Sequence, residues 1–283
     1  MENLNLINNN DMTLVIAKKV GNYISLSSDS RISFGTDGHI DFGIKIFSIP
    51  VRIYSPTSVE TNTTTLDYNY KLGMAVIGSA INAYTIKESI YEILQHLQYV
   101  PDYTYLSMEG ISKLVFKVFN KTSLDLTPII RQSGICEIVL GGYCPNQNKV
   151  RIFKFSVRIH PDRIEPFYDE ILKIDGIEFF GSGKTEAQIV YSRNTKLGSL
   201  HIIREVIRSN KVDTVGGGLQ YGEFVINNFQ IFGVTDYELN PDGTFKEFLY
   251  TLRGINLYKD EFERGDDGFH IAYTFKRPFE NEI

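Results

Sequence analysis

Hydrophobic positions along the chain follow two rhythms, and the switches between them mark out the elements. From Thr13, TLVIAKKV alternates, breaks at Gly21-Asn22 and resumes as YISLSS, a period of two that predicts a β-hairpin. With a three-residue loop, Val20 to Asn22, the pairing is symmetric about Gly21 and sets Thr13 opposite Asp29. IFSIPVRIYS follows Lys45, a polar excursion around Pro56 comes next, and KLGMAVIGS reads as a buried strand. From Ala80 the spacing turns helical through Ile81, Tyr84, Ile86, Ile90, Leu94 and Leu97, predicting a helix over 80–98 that Pro101 stops. A second helix is expected from Ser107, as N-cap, to Phe119.

Strands return in ICEIVLGGY and KVRIFKFSV around the turn CPNQN, then in IDGIEFFGSG. Lys184 to Arg193 and Leu197 to Ser209 read as two more helices, followed by EFVINNFQIF, the turn NPDG and EFLYTLRGINL. An acidic loop and a short strand, Phe269 to Phe275, close the chain. Strands and helix pairs in this order suit an α+β fold, a four-layer αββα sandwich of two antiparallel sheets. Residues 1–12 are polar and Asn-rich, a leader that reads equally as a propeptide or a frayed terminus; because it ends just before Thr13, the propeptide reading leads. Residues 13–283 form one expected domain, with a C-terminal extension from about 234.

Composition narrows the function by exclusion. The 283 residues are 42% hydrophobic and 22% charged, an ordinary globular balance, and the net charge of −5 argues against a nucleic-acid surface. No secretory signal and no apolar run of membrane-spanning length is present, so a cytoplasmic protein without membrane contact is expected. Cys136 and Cys144 offer neither a disulfide framework nor a zinc spacing. Gly181-Ser182-Gly183-Lys184-Thr185 hints at a phosphate loop, but Glu178 stands where that motif needs glycine. His39, His96, His160, His201 and His270 have no ligand spacing, so neither metal nor cofactor is expected.

Candidate chemistry lies in Thr13, Asp29-Ser30-Arg31 and Lys45-Ile46, with looser matches at Gly78-Ser79-Ala80, Gly141-Gly142-Tyr143, Gly181-Ser182-Gly183 and Asp213-Thr214-Val215-Gly216-Gly217. In this order the motifs resemble the signature of proteasome β-type subunits, members of the N-terminal-nucleophile (Ntn) hydrolases. The resemblance is closer to a bacterial proteasome-like protein than to a specialised eukaryotic subunit. It implies the αββα fold and a threonine peptidase in which Thr13, freed of residues 1–12, is the nucleophile and its own α-amine the base. Lys45 then tunes the hydroxyl, Asp29 holds Lys45, Gly78 offers an oxyanion N–H, and Ser182 and Asp213 surround the amine. Gly216 stands where the family carries a second serine. Arg31 reads as a structural partner.

Substrate would lie extended between the Ser33 and Gly78 segments, with Ile32, Phe47, Val76 and Ala80 lining an apolar pocket for the residue before the cut. The resemblance further implies self-association into rings or another large homo-oligomer, and an ATP-dependent unfoldase as partner. Tyr91 and Leu94 are expected to give the first helix apolar surface on more than one side. Two alternatives stand beside the peptidase: an unprocessed, inactive subunit with an assembly role, and a small-amide hydrolase of the same fold.

Overall fold

In the computed structural model, residues 13–34, 38–57, 63–100, 105–258, 268 and 271–280 are described. Two sheets carry the fold. The first runs in the spatial order Gly176–Phe180, Val15–Val20, Tyr23–Asp29, Leu219–Val225, Asn228–Leu239, Phe245–Leu252, Ile255–Asn256. Phe275–Lys276 joins it by pairing parallel with the strand Asn228–Leu239. The second runs Ile164–Ile171, Lys149–Ile159, Cys136–Cys144, Leu66–Gly78, Ile46–Tyr54, Leu97–Gln98. Among the described residues four α-helices accompany them: α1 (Ala80–Ile93), α2 (Met108–Ile130), α3 (Lys184–Arg193) and α4 (Ser199–Ser209).

Apolar residues gather in three clusters. Ile49, Leu72 and Phe155 of the second sheet pack with Ile86 and Ile90 of α1 and Val115 and Phe119 of α2. Leu14, Ile16 and Val234 of the first sheet pack with Ala187 of α3 and Ile203 and Val206 of α4. Val15, Ala17 and Leu26 of the first sheet meet Ile46, Ala75 and Val139 of the second. Strand alternation explains the sorting: neighbours such as Leu14 and Val15 enter different clusters because successive side chains leave opposite faces. Each fully buried Ile or Val stabilises by about 1.5–3 kcal/mol, so the three clusters together fix which face of each sheet is which.

The structure departs from the sequence expectations in several places. The hairpin pairs Val20 with Tyr23 across a two-residue turn, Gly21-Asn22, so the register is shifted by one and Leu14, not Thr13, stands at the level of Asp29. The expected 80–98 helix ends at Ile93; Leu94–His96 turns and Leu97–Gln98 pairs parallel with Ile53 and Tyr54. The edge of the second sheet takes this segment because Arg52 N–H donates to Leu94 O and Tyr99 N–H to Tyr54 O, at 2.8 and 3.0 Å. Leu94 is fully buried and Tyr91 packs against the same cluster, so neither is spare apolar surface.

α2 runs on past Phe119 to Ile130 because its buried stripe continues as small hydroxyls, Ser123 and Thr127, rather than as apolar residues. The strand Ile164–Ile171 is one that the hydrophobic pattern does not announce, and EFVINNFQIF is two strands around an Ile226-Asn227 turn with both residues at positive φ. At the C-terminus the strand is Phe275–Lys276; residues 269–270, like the leader 1–12 and Pro101, lie outside the described residues. Among the described residues no helix is long and apolar enough to cross a membrane.

Candidate active site

Asp29 ends the second strand of the hairpin and is fully buried. Five donors converge on its carboxylate. Oδ1 accepts from Thr13 Oγ1 at 3.1 Å, Leu14 N–H at 2.9 Å and Lys45 Nζ at 2.8 Å, while Oδ2 accepts from Arg31 N–H at 3.1 Å and Gly216 N–H at 3.0 Å. The one-residue register shift explains the contact better than the predicted one. Leu14 takes the place opposite Asp29, its N–H binds the carboxylate, and Thr13, one residue earlier, swings its hydroxyl onto the same oxygen.

Lys45 is 4% exposed, and burial lowers its pKa from the usual lysine value, while the charge and hydrogen bond of Asp29 act in the opposite direction. Its position is fixed by a residue that spacing did not reveal. Buried Gln220 accepts from Lys45 N–H at 3.0 Å and Ile46 N–H at 3.3 Å through Oε1, and donates through Nε2 to Asp29 O at 3.2 Å and Gly43 O at 2.7 Å. One amide therefore ties Lys45 and the start of the strand Ile46–Tyr54 in the second sheet to the strand bearing Asp29 in the first. Its signal in the sequence is a polar residue on the face of LQYGEFV whose next strong side chain, Phe224, enters the core between the sheets.

Around the nitrogen of Thr13 the tight turn at Gly181 is decisive. Gly181 has φ +85°, and a Cβ there would sit 2.3 Å from Thr13 O, so only glycine lets the turn press against the threonine backbone. Gly183 N–H then donates to Thr13 O at 3.2 Å. Ser182 Oγ accepts from Thr13 N–H at 3.3 Å and lies 2.6 Å from Thr214 Oγ1, a residue of the motif at 213–217 for which no role was expected. Asp213 enters through its main chain: its carbonyl accepts from Arg31 Nη1 at 3.0 Å. Arg31 forks onto Asp41 with bonds of 2.7 and 3.0 Å, and the Asp41 carboxyl is held below its ordinary pKa chiefly by that guanidinium. A Cβ on Gly216 would lie 2.4 Å from Arg31 Cζ, which gives the departure from serine a steric reason.

The expected substrate residues are placed as follows. Ile32 and Ser33 pair with Ile40 and His39 in a short two-stranded sheet. Phe47 and Val76 are both nearly buried, in the cluster beneath α1, and Phe47 meets the ring of Tyr84 edge-on at 5.9 Å. Gly78 has φ +83° and ends its strand just before Ser79 caps α1, whose first residue is Ala80. Among the described residues no group of three His, Cys, Asp or Glu side chains could hold a metal.

No protein-family model matches the sequence, and no curated protein matches it. Solved structures do. The chain is similar to the helical assembly of the Anbu complex from Pseudomonas aeruginosa, with 15% identity and a TM-score of 0.54 over 78% of this chain and 86% of that one. It is similar to Anbu (ancestral beta-subunit) from Yersinia bercovieri at 17% identity and TM-score 0.52, over 77% of this chain and 86% of that one. Anbu from Hyphomicrobium sp. strain MC1 follows at 14% and 0.50, covering 77% and 84%. At these identities the likeness is one of fold, and the fold is proteasome-like. It corrects the resemblance drawn from the motifs: the three structures named here are Anbu proteins, one of them described as an ancestral beta-subunit, and not typical proteasome β-type subunits.

Proposed function

We propose that this chain is the precursor of a proteasome-like threonine peptidase of the Ntn-hydrolase class, and that its sheets and helices form the four-layer αββα sandwich of that class. The carrying observation is that Thr13 Oγ1 and Lys45 Nζ share one oxygen of a buried carboxylate, while Ser182 Oγ stands 3.3 Å from the Thr13 nitrogen. With Met12 attached that nitrogen is an amide and takes up no proton. Once residues 1–12 are removed it becomes an α-amine with an unperturbed pKa of about 7.7–8.0, a fitting base at neutral pH. The amine takes the Thr13 hydroxyl proton, Oγ1 attacks the substrate carbonyl, and the Gly78 N–H steadies the oxyanion. Collapse expels the leaving amine, which receives the proton, and leaves an ester on Thr13. Water, deprotonated by the same amine, hydrolyses the ester.

Lys45 lowers the cost of the alkoxide, and its weakened hold on its own proton follows from burial. Residues 13–283 act as a single domain with an extension from about 234. The chain works as an assembly of copies, a reading supported by its likeness in fold to the Anbu complex from Pseudomonas aeruginosa, which is a helical assembly. An ATP-dependent unfoldase would feed it in the cytoplasm. A second reading, an unprocessed assembly subunit, draws on the burial of Thr13, which is 1% exposed with the leader still in the sequence.

The test compares three forms for turnover of peptide and small-amide substrates and for covalent labelling by a threonine-directed electrophile. They are the full-length chain, a form confirmed by mass to begin at Thr13, and that form with Thr13→Ala. Only the second is expected to react, at Thr13. If it assembles yet neither turns over nor labels, the subunit reading replaces the enzyme.

A further inference from the structure

The strand Asn228–Leu239 is paired on both sides for only part of its length. From Asn228 to Phe232 it pairs with Leu219–Val225; on its other side a neighbour begins only at Gly233, with Phe275–Lys276, and at Val234, with Phe245–Leu252. Main-chain groups along a strand point to alternate sides. Phe229 O accepts from Ser48 Oγ and Gly233 N–H donates to Thr274 O, each at 3.0 Å, so both residues turn away from Leu219–Val225. Ile231, midway between them, turns the same way, and among the described residues no strand meets it there. Its N–H and C=O face a cleft of about 350 Å³ that Tyr273 and Thr274 also line. A bare strand edge is a template for one more extended chain.

The same cleft is lined by two cations, Lys71 and Arg253, and by no acidic side chain. Arg31, Arg151 and Arg204 are each paired with a carboxylate. Neither Arg253 nor Lys71 has such a pair; the charged neighbour of Arg253 is Tyr273, and burial draws the guanidinium's pKa down. The turn that carries Arg253 is held in place, since a Cβ on the next residue, Gly254, would lie 2.7 Å from Ser30 Cβ. A half-buried guanidinium without a carboxylate is unfavourable until an anion arrives, and its fork suits a carboxylate in two-point contact. None of the lining residues belongs to the candidate active site, so the cleft is a separate place on the molecule.

We infer that this cleft is a docking site for an acidic peptide segment in extended conformation. One residue of the segment pairs with the N–H and C=O of Ile231, and its acidic side chains meet Arg253 and Lys71. The two features select together: a bare edge alone takes any strand and two cations alone take any anion, whereas the combination requires a peptide main chain that carries negative charge. The site stands whether or not Thr13 is a nucleophile.

Calorimetry on the full-length chain tests both parts, with a capped heptapeptide alternating Thr and Glu and its counterpart alternating Thr and Gln. The Glu peptide should bind about tenfold tighter or more; the ratio should fall to about one in Arg253→Gln and shrink in Lys71→Gln, a change on an exposed side chain that carries the test if melting curves show the first variant unfolded. Methylating the amide nitrogens of the Glu peptide keeps its charge but removes its donors, and should weaken binding about tenfold or more. Free glutamate and inorganic phosphate should compete poorly. Equal or absent binding of the Glu and Gln peptides, or a ratio that survives in both folded variants, overturns the inference. Unchanged affinity after methylation, with phosphate competing as well as the peptide, also overturns it and leaves a general anion site. No peptide binding, with light scattering showing a dimer that Arg253→Gln dissolves, gives the cleft to a second copy of the chain instead.

Discussion

Lys45 Nζ lies 2.8 Å from Asp29 Oδ1, and the two side chains are 5% and 0% exposed. A pair so removed from water is asymmetric in its consequences: its net stabilisation is small, but deleting one partner strands the other's charge, at a cost of about 3–5 kcal/mol. Asp29→Ala should therefore lower folding stability by that amount, since four further donors lose their acceptor with it. Denaturant titration reads this directly. Lys45→Arg keeps the charge, but its wide planar fork does not fit where one ammonium meets one oxygen. The fold should survive while turnover of the processed form drops about 10²-fold or more. Rates near those of the unsubstituted protein would remove Lys45 from the chemistry.

Gln220 gives a prediction about position rather than chemistry. Gln220→Leu keeps the volume but strands the N–H groups of Lys45 and Ile46 and the carbonyl of Gly43, while Asp29 O keeps its bond from Ser28 Oγ at 2.6 Å. At about 1–3 kcal/mol for each buried group left unpaired, partly relieved by relaxation, a loss of about 3 kcal/mol or more is expected from urea midpoints. A loss below about 0.5 kcal/mol would show that the two sheets keep their alignment without the clamp.

The Arg31–Asp41 fork predicts an acid-sensitive increment. The Asp41 carboxyl titrates below its unfolded value of about 3.9, so between the two values the unfolded chain binds more protons and stability rises with pH. The increment is fully present above about pH 4 and disappears as pH falls through the depressed value. Because Asp41 is 43% exposed, solvent screening holds it to about 1 kcal/mol. The stability difference between the unsubstituted chain and Asp41→Asn should be constant at neutral pH and shrink as pH falls below the ordinary carboxylate range, disappearing once Asp41 is protonated in the folded chain. A difference independent of pH would assign the effect to packing.

These sites show what the sequence could carry. Thr13, Asp29 and Lys45 were legible together because successive strands convert even spacing into proximity, and that survived a one-residue error in register. The error came from the turn: Gly21 and Asn22 suit loops of two or three residues equally, and the choice depends on how Val20 meets Tyr23. The end of α1 was hidden because Leu94 and Leu97 continue the helical rhythm, while the edge at Ile53 and Tyr54 that captures the chain is far away in sequence. Gln220 was missed, and Thr214, though inside the motif at 213–217, was given no role, for the same reason: their partners Lys45 and Ser182 lie 175 and 32 residues away.

In the peptidase proposed above, Gly216 and Thr214 would bear on how the proton around Thr13 is handled. The motif's usual serine is absent at 216, and restoring it looks like a repair. The structure says otherwise: a Cβ at 216 would lie 2.4 Å from Arg31 Cζ and 2.6 Å from its Nε, the nitrogen bound to Asp41. Gly216→Ser should push the guanidinium off Asp41 and lower stability by about 1 kcal/mol, the scale of a partly exposed ion pair with modest overpacking. The hydroxyl partner of Ser182 is instead supplied by Thr214, 2.6 Å away. Thr214→Val keeps the shape and removes that bond, so turnover of the processed form should fall about tenfold with stability changed by about 1 kcal/mol or less. The double variant Thr214→Val/Gly216→Ser separates the two effects. If the serine at 216 could serve Ser182, the double variant would recover activity; with Arg31 displaced and the hydroxyl on the wrong side of it, activity should stay at the level of Thr214→Val while the stability loss of Gly216→Ser is added. Steady-state rates and urea midpoints for the three variants decide it, and recovery in the double variant would refute the assignment of Thr214.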